Sequence, residues 1–113
     1  MNKERYTTLN KALEQILAVL RAEYQPEKVI LFGSMTDGTV GEWSDIDLLI
    51  VKNTSLPFMQ RLKKVALLCR ASVGVDYLVY TPDELEQMES EKNPFILDVL
   101  QKGKVLHERR LVA

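Results

Sequence analysis

Hydrophobic and polar positions follow two different periods along the chain, and each period predicts a different kind of element. Near the N-terminus, apolar residues recur every three or four positions with charged residues between them, which predicts an amphipathic helix ending near Tyr24. Pro26 then closes this helix, because proline cannot continue it. The same helical spacing returns from Leu56 to Ala71 and predicts a second helix.

Short runs of aliphatic, β-branched and aromatic residues predict buried strands. The three runs are Lys28–Phe32, Asp45–Val51 and Val75–Tyr80. Two further helices are predicted at Thr81-Pro82 and Asn93-Pro94, where a capping side chain precedes a proline at the first helical position. Gly103 stops the last helix, and Lys104–His107 can add an edge strand. The order α-β-β-α-β-α-α-(β) indicates an α+β fold, a small mixed β-sheet flanked by helices.

The composition narrows the class of protein. A length of 113 residues suits one domain, which we expect to span residues 1–113. Lys and Arg number 15 against 16 for Asp and Glu, so direct binding to nucleic acid is not expected. The single Cys69 excludes an internal disulfide and a cysteine-rich zinc site, which suits the cytoplasm. No apolar run approaches the roughly 20 residues that span a bilayer, so no membrane association is expected.

Two aspartates, Asp45 and Asp47, stand one residue apart where an apolar strand begins. Side chains alternate faces along a strand, so both carboxylates should point the same way while Ile46 points into the opposite layer. Carboxylates beside buried aliphatic side chains need neutralising, since an unpaired buried charge costs several kcal/mol. Oxygen ligands without His or Cys favour Mg²⁺ or Mn²⁺ over zinc. The pair therefore predicts a site for a magnesium-type cation.

Strand direction predicts which other groups join these aspartates. Gly33 and Ser34 close the first strand, and the loop of about ten residues that follows is compatible with an antiparallel second strand. The crossover helix is long enough to return a third, parallel strand, which would bring Asp76 to the same end. Gly33 leaves room for a close ligand, and Ser34 offers a hydroxyl and a backbone N–H to a phosphate. Phosphate beside a carboxylate-held cation indicates phosphoryl or nucleotidyl transfer.

These motifs carry a resemblance to a known family. The pattern Leu31-Phe-Gly-Ser34, Gly38, Ser44-Asp-Ile-Asp-Leu48 and Val75-Asp76 resembles the minimal nucleotidyltransferases of the polymerase-beta-like superfamily, in particular the antitoxin partners of HEPN-domain toxins. The resemblance covers nearly the whole chain and implies a polymerase-beta-like nucleotidyltransferase fold.

The resemblance also implies a role for each motif residue. Asp45 and Asp47 would hold the metal ions, Mg²⁺ or Mn²⁺, and would lie against the nucleotide. Asp76 would complete one metal site and help to deprotonate the acceptor hydroxyl, while Gly33 and Ser34 would hold the phosphates of the nucleotide.

The implied reaction is transfer of AMP from ATP to a hydroxyl, with release of pyrophosphate. In the antitoxin branch the implied acceptor is a tyrosine of the HEPN toxin, which adenylylation silences, as in a type VII-like toxin–antitoxin system. The expected partners are thus ATP and the toxin in a hetero-oligomer, and a homo-oligomer stays open.

One departure from the family pattern bears on activity. Members of the family commonly carry Arg close behind the Gly-Ser pair, as in G-S-x-A-R-G, whereas this chain has Met35-Thr36-Asp37. Asp37 would repel a triphosphate unless it caps a local turn or faces away. Positive charge could come instead from the crossover helix, although its basic residues are interpreted as a solvated face. These residues are Arg61, Lys63 and Lys64.

Two other functions stay open at this point. A binding-only antitoxin would keep the fold and mask its partner without catalysis, and the altered loop favours that interpretation. A small-molecule nucleotidyltransferase, similar to the aminoglycoside-modifying enzymes, would need an added wall for its acceptor. Trp43, just before Ser44-Asp45, is interpreted as loop packing or a partner contact in preference to stacking on a base.

Overall fold

In the computed structural model, which describes residues 1–109, helices and strands follow the predicted order. The helices are α1 (Lys3–Val19), α2 (Ser34–Asp37), α3 (Phe58–Cys69), α4 (Pro82–Ser90) and α5 (Pro94–Lys102). The strands are β1 (Lys28–Phe32), β2 (Ile46–Val51), β3 (Val75–Tyr80) and β4 (Lys104–Glu108). Helix α1 continues into a π-helical turn over Leu20–Tyr24, so the predicted helix end is confirmed. The short helix α2 is an addition to the predicted order, and it starts at Ser34.

The four strands form one mixed sheet in the order β3-β2-β1-β4. Strand β1 runs antiparallel to both β2 and β4, whereas β2 and β3 are parallel. The predicted strand directions are therefore confirmed, and so is the α+β fold with a small mixed sheet. The end of β1 and the beginnings of β2 and β3 consequently lie at the same edge of the sheet.

Both faces of the sheet are covered, and β2 lies between the two layers. Ile46, Leu48 and Ile50 pack with helices α1 and α3, while Leu49 and Val51 pack on the other face with α4 and α5. All five side chains are buried. Burial on both faces explains why β2 is an almost continuous apolar run, since neither side of the strand meets water. The Ile46 side chain points into the layer of α1 and α3, on the face of the sheet opposite to Asp47, as the sequence predicts.

Two predicted helix starts are confirmed in detail. The Thr81 side chain accepts a hydrogen bond from the backbone N–H of Glu84, whose carboxylate accepts the N–H of Thr81 in return. The Asn93 side chain accepts the N–H of Ile96. Such caps pair donors that a helix start otherwise leaves free, and each contributes about 1 kcal/mol.

Arg61 is buried, so the prediction that it lies on a solvated face is wrong. Its guanidinium donates to the carbonyl oxygens of Leu56, at 2.8 Å, and Val79, at 3.1 Å, and forms an ion pair with Glu84 at 2.6 Å. A planar guanidinium with five donors can satisfy several acceptors at once, which makes this burial tolerable. Arg61 therefore links α3, β3 and α4 and has little capacity left for a phosphate, while Lys63 is exposed as expected.

Within residues 1–109, every helix is too short or too polar to cross a lipid bilayer.

Candidate active site

The sheet register brings two of the predicted site residues side by side. Asp47 of β2 pairs directly with Asp76 of the parallel strand β3. On its other side Asp47 pairs with Phe32, the last residue of β1, and Gly33 follows at once. Asp76 is exposed, whereas Asp47 is partly buried. The edge of the sheet thus places Asp47 between Asp76 and the Gly33 turn.

Gly33 lies so close to Asp47 that a side chain at position 33 would displace the Asp47 carboxylate. A Cβ atom added to Gly33 would overlap Oδ2 of Asp47 and would lie 3.1 Å from its Cγ. The backbone of Gly33 also has φ 79° and ψ −150°, a combination that is essentially restricted to glycine. Both the backbone conformation and the approach of the carboxylate therefore require glycine here.

Asp45 stands immediately before β2 and lies against a second glycine, Gly74, which the sequence motifs did not single out. A Cβ atom added to Gly74 would lie 2.6 Å from Oδ1 of Asp45. The backbone N–H of Ile46 donates to the Gly74 carbonyl oxygen at 3.1 Å, which joins the start of β2 to the residue before β3. The sequence signal that could have identified Gly74 is its position directly before the predicted third strand.

A positively charged side chain from the first turn of α1, Arg5, also reaches this edge. Nη2 of Arg5 lies 3.6 Å from Oδ1 of Asp45, and Nε of Arg5 donates to the Ser44 carbonyl oxygen at 3.0 Å. No local sequence signal pairs Arg5 with Asp45, because 39 residues separate Arg5 even from Ser44. This contact depends on the tertiary fold.

The environment of Asp47 disfavours its charge. Burial is the main cause, followed by the charge of Asp76, the hydrogen bond that protonated Asp47 donates to the Asp76 carboxylate, and the charge of Asp45; together they raise the pKa of Asp47 from 3.8 to about 6. Binding of a cation would oppose every one of these causes except burial. The carboxylate-only donor set suits Mg²⁺ or Mn²⁺, so the residues present fit such an ion.

The carboxylates are not, however, gathered into a finished metal cage. Among residues 1–109, no group of three or more His, Cys, Asp or Glu side chains is arranged to hold a metal ion. Asp45 points toward Arg5, and like-charged carboxylates repel one another when no cation lies between them. The sheet edge therefore supplies neighbouring ligands that would still have to converge.

Helix α2 begins at Ser34, beside a cavity of about 200 Å³. The cavity lies next to the carboxylate edge, and its walls include an edge-to-face pair of Phe32 and Phe95 with ring centroids 5.7 Å apart. Its lining residues are Phe32, Gly33, Thr36, Asp37, Phe95, Asp98, Val99 and Lys102. Gly33 thus faces Asp47 and also borders a pocket that opens beside the sheet edge.

Asp37 caps a local turn, one of the two conditions under which it is compatible with a bound triphosphate. Its Oδ1 accepts the backbone N–H of Thr39 at 3.0 Å and also the Thr39 hydroxyl. Lys102 lines the same cavity, and its pKa is raised mainly by Asp98 and to the smallest extent by Asp37. The charge of Asp37 is therefore partly engaged by its own turn and by a nearby cation.

Comparison with known proteins decides the family. Residues 14–110 match the family described as "Polymerase beta, Nucleotidyltransferase". The chain belongs to the polymerase beta nucleotidyltransferase family. It is therefore a nucleotidyltransferase, and the membership that the motifs at Gly33-Ser34, Asp45-Ile-Asp47 and Asp76 imply is confirmed.

Two relatives of this nucleotidyltransferase come from Methanocaldococcus jannaschii. "Putative protein adenylyltransferase MJ0604" is 33% identical over 101 residues, which cover 86% of this chain and 96% of the relative. "Putative protein adenylyltransferase MJ1305" is 28% identical over 109 residues, which cover 89% of this chain and 73% of the relative.

Two crystal structures share the fold of the nucleotidyltransferase. A "putative nucleotidyltransferase from Sulfolobus solfataricus" superposes with a TM-score of 0.65 at 24% identity, covering 94% of this chain and 86% of that one. A "toxin-antitoxin with AMP-PNP" superposes with a TM-score of 0.58 at 24% identity, covering 86% of this chain and 73% of that one. The polymerase-beta-like fold is thus confirmed.

The fit between Gly33 and Asp47 can be tested against a second glycine that has a left-handed backbone but open surroundings. Gly38 has φ 78°, yet an added Cβ would meet no atom within 4 Å. Gly38→Ala should cost about 1 kcal/mol of stability from backbone strain alone. Gly33→Ala should cost about 2–4 kcal/mol, because alanine is strained at φ 79° and ψ −150° and its methyl group displaces Asp47, and this displacement should also reduce nucleotidyl transfer. Urea denaturation and activity assays of both variants measure this; an equal effect of the two variants on nucleotidyl transfer would contradict the packing argument.

The raised pKa of Asp47 predicts how stability changes with pH. Since the pKa near 6 lies above the ordinary 3.8, the folded state binds the proton more tightly, and stability should rise as pH falls from 7.5 to 5. After allowance for the partial exposure of Asp47, the gain over this pH range should be about 1 kcal/mol or less. Urea denaturation in EDTA checks this. Asp47→Asn should flatten the gradient and Asp83→Asn, on exposed α4, should keep it; a gradient that survives Asp47→Asn would assign it to other groups.

Proposed function

We propose that this nucleotidyltransferase transfers AMP from ATP to a tyrosine hydroxyl of a partner HEPN-domain toxin, with Mg²⁺ or Mn²⁺, and so acts as the antitoxin of the pair. The observation that carries the proposal is the register of the sheet edge. It places Asp47 between Asp76 and Gly33, with the pKa of Asp47 raised by its burial and its acidic neighbours. Neighbouring carboxylates repel one another when no ligand is bound, and a cation that also binds a phosphate would relieve this repulsion.

The proposed acceptor is a protein because of the relatives. Both M. jannaschii proteins bear the name of protein adenylyltransferases, and the first aligns over 96% of its own length. The structural neighbour described as a toxin-antitoxin holds AMP-PNP, an ATP analogue. A protein acceptor, ATP and a toxin partner are thus each represented among the similar proteins. Their application to this chain is our inference.

Each residue of the sheet edge has a separate role in the proposed transfer. Gly33 and Ser34 would hold the triphosphate, Asp45 and Asp47 would hold the cation, and Asp76 would complete its ligand set. The bound cation would neutralise charge on the phosphates and polarise the α-phosphate.

The acceptor oxygen forms a bond to the α-phosphorus as the bond to the bridging oxygen breaks and pyrophosphate leaves. Asp76, which is exposed and accessible to an entering side chain, takes the hydroxyl proton.

Trp43 suits contact with the partner protein. Trp43 is 86% exposed. Of the two interpretations of Trp43, loop packing is therefore wrong, because the described residues leave its side chain uncovered, and contact with a partner stays a prediction. The loop that carries Trp43 is held on either side: Gly41 N–H donates to the Ser44 hydroxyl at 2.8 Å, and Ser44 N–H donates to the Gly41 carbonyl oxygen at 3.2 Å. A large, exposed aromatic side chain on this held loop, two residues before Asp45, can pack on an acceptor protein as its tyrosine enters.

The proposal is tested with the purified chain, α-labelled ATP, Mg²⁺ and the protein encoded by the neighbouring reading frame. Label should transfer to a tyrosine of that protein, with a mass increase of one or more adenylyl units. Asp47→Asn should lower transfer by at least about a hundredfold, because it removes a charged ligand of the cation. Asp83→Asn, an exposed aspartate on α4, should transfer at the normal rate.

Other outcomes would replace the proposal. If Asp47→Asn protects against the partner as well as the unchanged chain does, and no mass shift occurs, the protein is a binding-only antitoxin. Label that appears on an aminoglycoside and never on protein would make it a small-molecule nucleotidyltransferase.

A further inference from the structure

Arg5 is the basic side chain that the fold places on the carboxylate edge. Among residues 1–109, it makes the only ion pair with any of Asp45, Asp47 and Asp76. Its Nε–H is used by the Ser44 carbonyl oxygen, but Nη2 stands 3.6 Å from Asp45, which is beyond hydrogen-bonding distance. A guanidinium has five N–H donors, so most of those of Arg5 stay available.

The backbone around Arg5 is fixed, which makes its position meaningful. Asn2 caps α1 by accepting the N–H of Arg5 at 2.9 Å, and the N–H of Asn2 donates to the Val40 carbonyl oxygen at 2.7 Å. The first turn of α1 is thereby tied to the loop that leads into β2 at two points, Val40 and Ser44. The Arg5 side chain is only a quarter exposed, and its guanidinium lies beside Asp45.

Two other basic side chains considered for the site are engaged elsewhere. Arg61 is buried in its contacts with Leu56, Val79 and Glu84. Lys102, in the neighbouring cavity, forms an ion pair with Asp98 at 2.9 Å. Arg5 thus combines a fixed position at the carboxylates with unused donors.

We propose that Arg5 is a substrate-binding residue that exchanges partners, pairing with Asp45 in the empty site and donating to a phosphate oxygen when ATP and a divalent cation bind. This inference rests on the proposed function, since it assumes a triphosphate at the Asp45 edge. The existing pair is long at 3.6 Å, and its Asp45 side chain is about half exposed; such pairs are weak, so a divalent cation can displace Arg5 from Asp45. The displaced guanidinium is then within reach of the phosphates that the same cation holds, which it can bind with two donors.

The exchange couples the two ligands. Without nucleotide, Arg5 competes with the cation for Asp45, so the cation alone binds weakly. With nucleotide, the phosphates take Arg5 and free Asp45, so each ligand favours the binding of the other. This also accounts for carboxylates that are adjacent but not gathered into a metal cage.

The coupling is measured by binding, without turnover. Mn²⁺ binding by electron paramagnetic resonance is followed with and without the nonhydrolysable analogue α,β-methylene-ATP, in the unchanged chain, Arg5→Gln and Lys11→Gln. In Arg5→Gln, Mn²⁺ alone should bind roughly two- to fivefold more tightly, because a competing charge is gone. The analogue with Mn²⁺ should bind about tenfold more weakly, because a charged hydrogen-bond donor is gone. Lys11→Gln, an exposed charge change on the same helix, should match the unchanged chain.

Other results overturn the proposal. If Arg5→Gln binds Mn²⁺ alone no more tightly than Lys11→Gln, or binds the analogue as tightly, Arg5 does not exchange partners. If Arg5→Gln fails to fold by circular dichroism, Arg5→Lys replaces it and should weaken analogue binding by a smaller factor, since an ammonium lacks the planar fork; unchanged analogue binding there also overturns it. An unchanged chain that binds neither Mn²⁺ nor the analogue contradicts the proposed function itself, so the two failures are distinguishable.

Discussion

The properties of the active-site edge follow from one constraint: the sheet register places carboxylates side by side, where their charges repel one another. Asp47 and Asp76 occupy paired positions on parallel strands, and Asp45 precedes β2 at the same edge. Strand pairing fixes the backbone, so Asp47 and Asp76 remain neighbours unless the sheet comes apart, although their side chains can turn. A fold that fixes like charges in this way stores unfavourable energy that a cation can relieve, and the raised pKa of Asp47 is in part the expression of that energy. The proposed affinity of the site for a divalent cation derives from this constraint.

The rest of the fold maintains the constraint from several directions. Strand β2 is buried on both faces by helices, so its register cannot slip without exposing an apolar run. Gly33 and Gly74 allow the backbone to approach the carboxylates of Asp47 and Asp45 more closely than a Cβ would permit. Arg5 partly balances the charge from the helix side. These features leave the carboxylates close together but still open toward solvent, where substrate can enter.

Much of this could be predicted from the sequence, because it follows from local periods and short connections. Alternation along β2 and the direction of the strands suffice to bring Asp47, Asp76 and Gly33 to one edge of the sheet and to face Ile46 into the core, whereas the register that pairs Asp47 with Asp76 comes from the structure. The contacts of arginines could not be predicted in the same way. Arg61 resembles a surface residue on its helix, and only the carbonyl oxygen of Val79 and the carboxylate of Glu84, on elements later in the chain, explain its burial. Long side chains find partners across tertiary contacts, which periodicity does not encode.

Crystals of the chain grown with Mn²⁺ and α,β-methylene-ATP test the central claim most directly, through the anomalous scattering of manganese. The account predicts an anomalous peak coordinated by carboxylate oxygens of both Asp45 and Asp47 and by phosphate oxygens of the analogue, beside the Gly33-Ser34 turn. A manganese ion and nucleotide bound elsewhere on the chain, with Asp45 and Asp47 uncoordinated, would contradict it.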